Sequence, residues 1–227
     1  MKTYFVCLAN SKKYGERCIA GIEVTKNETT GYSIVRKDNK PKWIRPVTGQ
    51  THGQVPAELV KHIRLFDIVE IETVSDLPNG YQSENISFYA STLKVVSKLD
   101  MVLSNLEALA DHDQKYLFGQ KGKAIEMEDI ADIHTSLTLI KAEKVVVQAR
   151  KEQDKVHFRM NFHYKSVEYD LPITDVNFIA YYLSAYEEGR FVPHLSGDVY
   201  LAISLGIEYE GLFYKLIAGV LWIKEGH

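Results

Sequence analysis

Residues 156–164 read VHFRMNFHY. Val156, Phe158, Met160, Phe162 and Tyr164 alternate with His157, Arg159, Asn161 and His163, a period of two that sends the two sets to opposite faces of a strand. One face is apolar and the other polar, which predicts a half-buried antiparallel strand. Lys165-Ser166 then leads into VEYDLPI (167–173), its expected hairpin partner. TDVNFIAYYLSAYEEG (174–189) predicts a helix, with Thr174 as N-cap, a stripe of Ile179, Tyr182, Leu183 and Tyr186, and Gly189 as the stop. VYLAISL (199–205) and FYKLIAGVLWI (213–223), joined by GIEYEG, read as closing strands.

The first half follows the same grammar. TYFVCLA (3–9) and CIAGIEV (18–24) are strand-length apolar runs separated by the polar stretch NSKKYGER. TTGYSIVR (29–36) and KWIRPV (42–47) follow, split by a charged turn region. PAELVKHI (56–63) suits one short helix. FDIVEIETV (66–74) alternates as a strand, and a further strand is expected near FYASTLKVV (88–96). Leu99, Val102, Leu103, Leu106 and Leu109 recur at helical spacing. Residues 111–134 carry turn residues and charge without a clear period and are expected as a linker or exposed loop. The expected organisation is a first domain over 1–110, the linker, and a second domain over 135–227. Each half offers about five short strands and at least one helix. Two compact antiparallel barrels fit that count, and periodicity alone does not choose a five-stranded oligonucleotide/oligosaccharide-binding (OB) barrel over an SH3-like one.

Composition narrows the classes. The chain has 227 residues, 45% hydrophobic and 25% charged, ordinary for a globular protein. No apolar run reaches the roughly 18 residues of a membrane span, and the N-terminal stretch reads as a strand and not as a signal peptide. No membrane partner and a cytoplasmic location are therefore expected. Cys7 and Cys18 are the two cysteines; with no CxxC they form no zinc site by themselves and are expected as two buried thiols in a reducing compartment, a redox pair being the alternative. The net charge of −3 hides an asymmetry: residues 1–64 hold 12 Lys or Arg against 5 Asp or Glu, and the remainder 15 against 25. A cationic opening raises the question of polyanions, although charged stretches also serve as solvated faces.

The run VCLANSKKYGERCIAGIE (6–23), followed by WIRPV (43–47), FDIVEI (66–71), PNGYQSEN (78–85), VEYDLPITD (167–175) and AISLGIEYEGLFYKLIAGV (202–220), resembles the bacterial dual OB-containing domain family. The match extends in order over nearly the whole chain. Glu16-Arg17-Cys18 departs from the commoner glycine-arginine-cysteine, and 111–134 has little in common with the family. The resemblance implies a mainly β protein with a few helices, built as two tandem OB-like antiparallel barrels. It also implies a nucleic-acid-binding role in bacterial defence or RNA handling, and it carries no catalytic residues.

Candidate binding residues follow from how OB surfaces hold single strands, by stacking bases on aromatics and tracking phosphates with Lys and Arg. Lys12, Lys13, Arg17 and Arg45 are the expected phosphate contacts, with Tyr14 or Trp43 as the stacking platform. The alternative is structural: Trp43 packed into the barrel and Arg45 paired with Asp67 or Glu70. Gln82 and Asn85 can read base edges or satisfy loop backbone. His157 and His163, about 20 Å apart along a strand, cannot share a metal, and their face is expected to be solvated. Lys215 stands out in an apolar run and is expected at an edge or outer face. GQKGKA (119–124) lacks the spacing of a phosphate loop, and there is no HExxH or GxSxG. No metal or cofactor is expected. The expected partner is single-stranded DNA or RNA; a protein-interaction adaptor and a metal-dependent nuclease built on Asp67, Glu70 and Glu72 are the alternatives.

Overall fold

The computed structural model describes residues 1–27, 31–99 and 103–224. Thr29 and Thr30 of the expected third strand, Val102 of the expected helix, and Glu225-Gly226-His227 lie outside the described residues. The chain divides into two compact units, residues 1–102 and 103–227.

The first unit contains β1 (Lys2–Lys13), β2 (Glu16–Asn27), β3 (Gly31–Ile34), β4 (Arg36–Lys37), β5 (Lys40–Pro41), β6 (Trp43–Val47), α1 (Ala57–Val60), β7 (Asp67–Asp76), β8 (Asn85–Phe88) and β9 (Lys94–Lys98). β1 pairs with β2 and with β7, β2 with β6, β6 with β8 in parallel, and β8 with β7, so the pairings run through five strands and return to β1. β3 and β9 are added at the margins. Phe5, Cys7, Ile19, Ile44, Val69, Ile71 and Ile86 fill the centre, together with Val60 and Ile63 from the α1 region.

Residues 10–17, expected as a polar loop, are mostly strand. The turn is only Tyr14-Gly15, both at positive φ (49° and 82°), the backbone that matches a two-residue hairpin to strand twist. The polar residues before it are satisfied inside the fold. Asn10 is fully buried, and its Nδ2 donates to the carbonyls of Val60 (3.2 Å) and Ile63 (3.1 Å). Glu16 accepts from the backbone N–H of Ala57 at 2.5 Å, so the hairpin holds both ends of α1.

Gly21 sits opposite Cys7, where the β1–β2 register shifts by a bulge. A Cβ there would lie 1.9 Å from the Val6 carbonyl oxygen and 2.9 Å from the Phe5 ring. The obstacle is backbone, which cannot turn aside. Gly21→Ala is expected to lower the stability of the first unit by about 1–3 kcal/mol, read as a lower urea midpoint; an unchanged midpoint would refute the close approach.

The second unit contains α2 (Leu103–Leu109), β10 (Ala124–Glu126), β11 (Leu137–Glu152), β12 (Lys155–Tyr164), β13 (Val167–Pro172), α3 (Val176–Glu187), β14 (Asp198–Tyr209) and β15 (Leu212–Ile223). The sheet order is β10-β15-β14-β11-β12-β13, and one parallel bridge, Ile173–Ile217, brings the end of β13 back to β15. β12 alternates as its sequence predicts, with Phe158, Met160, Phe162 and Tyr164 buried. Leu99 lies outside α2, its N–H bonded to Phe66 O (2.9 Å).

Two expectations change here. The α3 cap is Asp175 and not Thr174: its carboxylate accepts from Asn177 N and Phe178 N. Thr174 instead donates through Oγ1 to the Ile217 carbonyl. Residues 111–134 are built into the second unit. The Tyr164 hydroxyl donates to the carbonyls of Asp111 (3.0 Å) and Gln114 (2.9 Å). The Tyr169 hydroxyl accepts from Leu117 N (3.1 Å), and β10 pairs with β15. Burial raises the Tyr164 phenol to about 12, so it stays a donor at neutral pH. Among the described residues no helix is long and apolar enough to cross a membrane.

Candidate nucleic-acid interface

The β1–β2 hairpin projects its tip from the five-strand circuit of the first unit. Tyr14 is 59% exposed there and stacks on His52, with ring centroids 4.3 Å apart and planes 28° from parallel. The cross-strand register sets Lys12 opposite Arg17, and Lys13 opposite Glu16. Successive residues alternate between faces, so Lys12 and Arg17 share one side of the hairpin and Lys13 the other. Lys12 is exposed and Arg17 half-buried. Arg17 is fixed by its backbone, which exchanges hydrogen bonds with Val55 at 3.0 and 2.8 Å. Lys13 has its pKa lowered, first by burial and then by the charge of Arg45. An exposed Lys12, a half-buried Arg17 and a ring pair thus meet at one tip. His52 escaped the sequence reading because it comes from a distant loop; a histidine flanked by Gly53 in a polar stretch gives no signal of its own.

Arg45 is placed differently from either expectation. It is 2% exposed and pairs with neither Asp67 nor Glu70. Its Nη2 lies 3.0 Å from Glu84 Oε1, and its Nη1 donates to Asn85 Oδ1 at 3.4 Å. Asn85 Nδ2 donates in turn to Gln82 Oε1 at 3.2 Å. Gln82, Glu84 and Asn85 are all buried. These side chains form an internal network that fastens the segment between β7 and β8 over β6, so Gln82 and Asn85 do not present their amides to solvent and Arg45 is not on the surface. Burial is also the main reason that the Tyr81 phenol is raised to about 12. Asp67 instead accepts from Arg64 N at 2.7 Å, and Glu70 pairs with Lys2 (3.3 Å) and Lys94 (3.2 Å).

Trp43 is half-buried and lies opposite Ile22 on β2. Ile22 is five residues from Arg17, about 17 Å along an extended strand. The indole therefore does not join the hairpin-tip patch, and Tyr14 is the aromatic that does. Beside Trp43, Lys42 pairs with Glu23 at 2.5 Å. Among the described residues no group of three or more His, Cys, Asp or Glu is placed to hold a metal. Neither cysteine is in a disulfide.

Two mainly antiparallel β units define this protein, each with a helix between the third and fourth strands of its main pairing series. The chain belongs to the dual OB-containing domain family, whose model matches residues 3–220. No curated protein matches it. Among solved structures, a murine DNA-binding protein bound with double-stranded DNA is similar over 98% of both chains at 7% identity. The TM-score is 0.33, too low for that likeness to bear on function.

Proposed function

We propose that the protein is a single-stranded nucleic-acid-binding module, without catalysis of its own, built from two tandem OB barrels. The barrel reading is supported by the strand pairings: in each unit the first strand pairs with the second and fourth, and the third runs parallel to the fifth. That is a five-stranded Greek-key order in which the loop after the first strand borders the ligand face. The binding reading rests on one observation, the exposed Tyr14 at the tip of that loop, stacked on His52, with Lys12 and Arg17 paired behind it. A base stacks on the ring, and Lys12 and Arg17, side by side on one face of the hairpin, meet the adjoining phosphates.

Fluorescence anisotropy on a mixed-sequence single strand tests this. Binding is expected to weaken with salt at a slope of about −0.7 per phosphate contacted. Tyr14→Ala removes a stacking platform of about 1–3 kcal/mol and is expected to cost about 5- to 150-fold in affinity with the unfolding midpoint unchanged. Absence of binding at low salt would overturn the proposal. Cleavage of the strand that depends on a divalent metal would overturn the non-catalytic part.

A further inference from the structure

The second unit carries a cleft of about 690 Å³ between β13 and β15, on the side closed by residues 122 and 123. It lies at the seam where β13 meets β15 through a single bridge, so the two strands leave room between them. Four cationic residues line it, Lys123, Arg150, Arg159 and Lys215, against two acidic ones, Glu168 and Asp170. Asp170 already serves two guanidiniums: Arg159 Nε at 2.8 Å and Arg150 Nη2 at 3.4 Å.

Lys215 is the decisive residue. It is fully buried, contrary to the edge position its sequence context suggested. Its Nζ donates to the carbonyls of Gln120 (2.6 Å) and Gly122 (3.0 Å) and lies 5.5 Å from the centroid of the Tyr169 ring. Those partners are dipoles and a ring. Among the described residues no carboxylate lies within ion-pair distance of it. A buried ammonium held only by neutral groups is costly, and burial accordingly lowers its pKa to about 8. By formal charge the cleft lining carries two more cationic residues than acidic ones, the balance that a doubly charged anion would meet.

We infer that this cleft is an anion site for a phosphate monoester, carried by a free mononucleotide or by the phosphorylated end of a single strand. The phosphate chemistry follows from the cleft; the choice of a nucleotide as its carrier rests on the nucleic-acid reading of the first unit. Lys123 and Arg150 are exposed and receive the anion first, and Arg159 and Lys215 set its charge at the cleft wall.

The test uses the full chain in calorimetric titrations with adenosine 5′-monophosphate and with adenosine, and in anisotropy with a 5′-phosphorylated and a 5′-hydroxyl oligothymidine. Preference for the phosphorylated member of either pair, weakened at least tenfold by K123Q/R150Q at an unchanged unfolding midpoint, is the expected result. Preference confined to the mononucleotide identifies a free nucleotide as the ligand, and preference confined to the oligomer identifies a strand end. No preference in either pair, or a preference that K123Q/R150Q leaves intact, overturns the site and leaves Lys215 as a fastener of the 120–122 segment. Failure is distinguishable from failure of the first-unit reading, because Tyr14→Ala is expected to weaken binding of the 5′-hydroxyl strand and to leave mononucleotide binding unchanged.

Discussion

Replacing Arg45 by alanine is expected to destabilise the first unit by about 3–5 kcal/mol, the usual cost of removing one partner from a buried ion pair. The guanidinium and the Glu84 carboxylate are 2% and 3% exposed, so truncation leaves a carboxylate in a dry site. The Asn85 and Gln82 amides lose the charge around which they are ordered. Trp43 belongs to the first unit and Trp222 to the second, and they are the chain's two tryptophans. Indole fluorescence in a Trp222→Phe background therefore follows urea unfolding of the first unit. Arg45→Ala is expected to lower the midpoint sharply, and the double variant R45M/E84L to recover most of the loss, because apolar replacement of both partners removes the stranded charge. A single variant within about 1 kcal/mol of wild type would show that the pair is solvated. Loss of nucleic-acid binding in Arg45→Ala consequently reports folding, and Tyr14→Ala is the cleaner probe of the surface.

The second large effect is at Asp175. Its fully buried carboxylate accepts from Asn177 N (2.9 Å) and Phe178 N (3.1 Å) at the start of α3, and from Val220 N (2.9 Å) on β15. One side chain thus caps the helix and ties it to the closing strand. Burial raises its pKa from 3.8 to about 6, outweighing the three N–H donors that favour the anion. The folded protein therefore holds a proton that the unfolded chain has released between about pH 4 and 6. Stability from this group is complete below that window and is lost as pH rises through 6. Asp175→Ala orphans three N–H groups, those of Phe178 and Val220 buried, and is expected to cost about 3 kcal/mol at pH 5. The deficit narrows toward pH 7.5, where the wild type alone bears the cost of a buried anion. Urea titrations at the two pH values, followed by Trp222 in a Trp43→Phe background, measure both. A deficit that grows with pH would reverse the assignment.

Much of the architecture was legible because strand period and burial are local. The alternation in 156–164 appears as buried Phe158, Met160, Phe162 and Tyr164, and the ordered motifs from Val6 to Val220 placed the chain in its family. The hairpin tip was half legible. Lys12, Tyr14 and Arg17 were candidates by type, and Tyr14-Gly15 became a turn because both residues take positive φ. The α3 cap and the 10–17 hairpin were missed locally, but the misplaced charges and the 111–134 segment have a long-range cause. Arg45 with Glu84, Tyr164 with Asp111, and Lys215 with Gln120 are pairs separated by 39, 53 and 95 residues, and no local pattern relates them.

The apolar faces of the strands and the cationic opening are properties of the amino-acid sequence alone, whereas β11 (Leu137–Glu152) and the order of strands in each sheet were set by pairings between distant segments. Which cations reach solvent was decided by the tertiary structure. Glu84 arrives over β6 and draws Arg45 inward, while β13 and β15 diverge and leave Lys215 buried at a cleft, its ammonium held by the Gln120 and Gly122 carbonyls. A charged side chain is placed by what the rest of the fold brings within a few ångströms of it, because pairing and desolvation energies act through space and not along the chain.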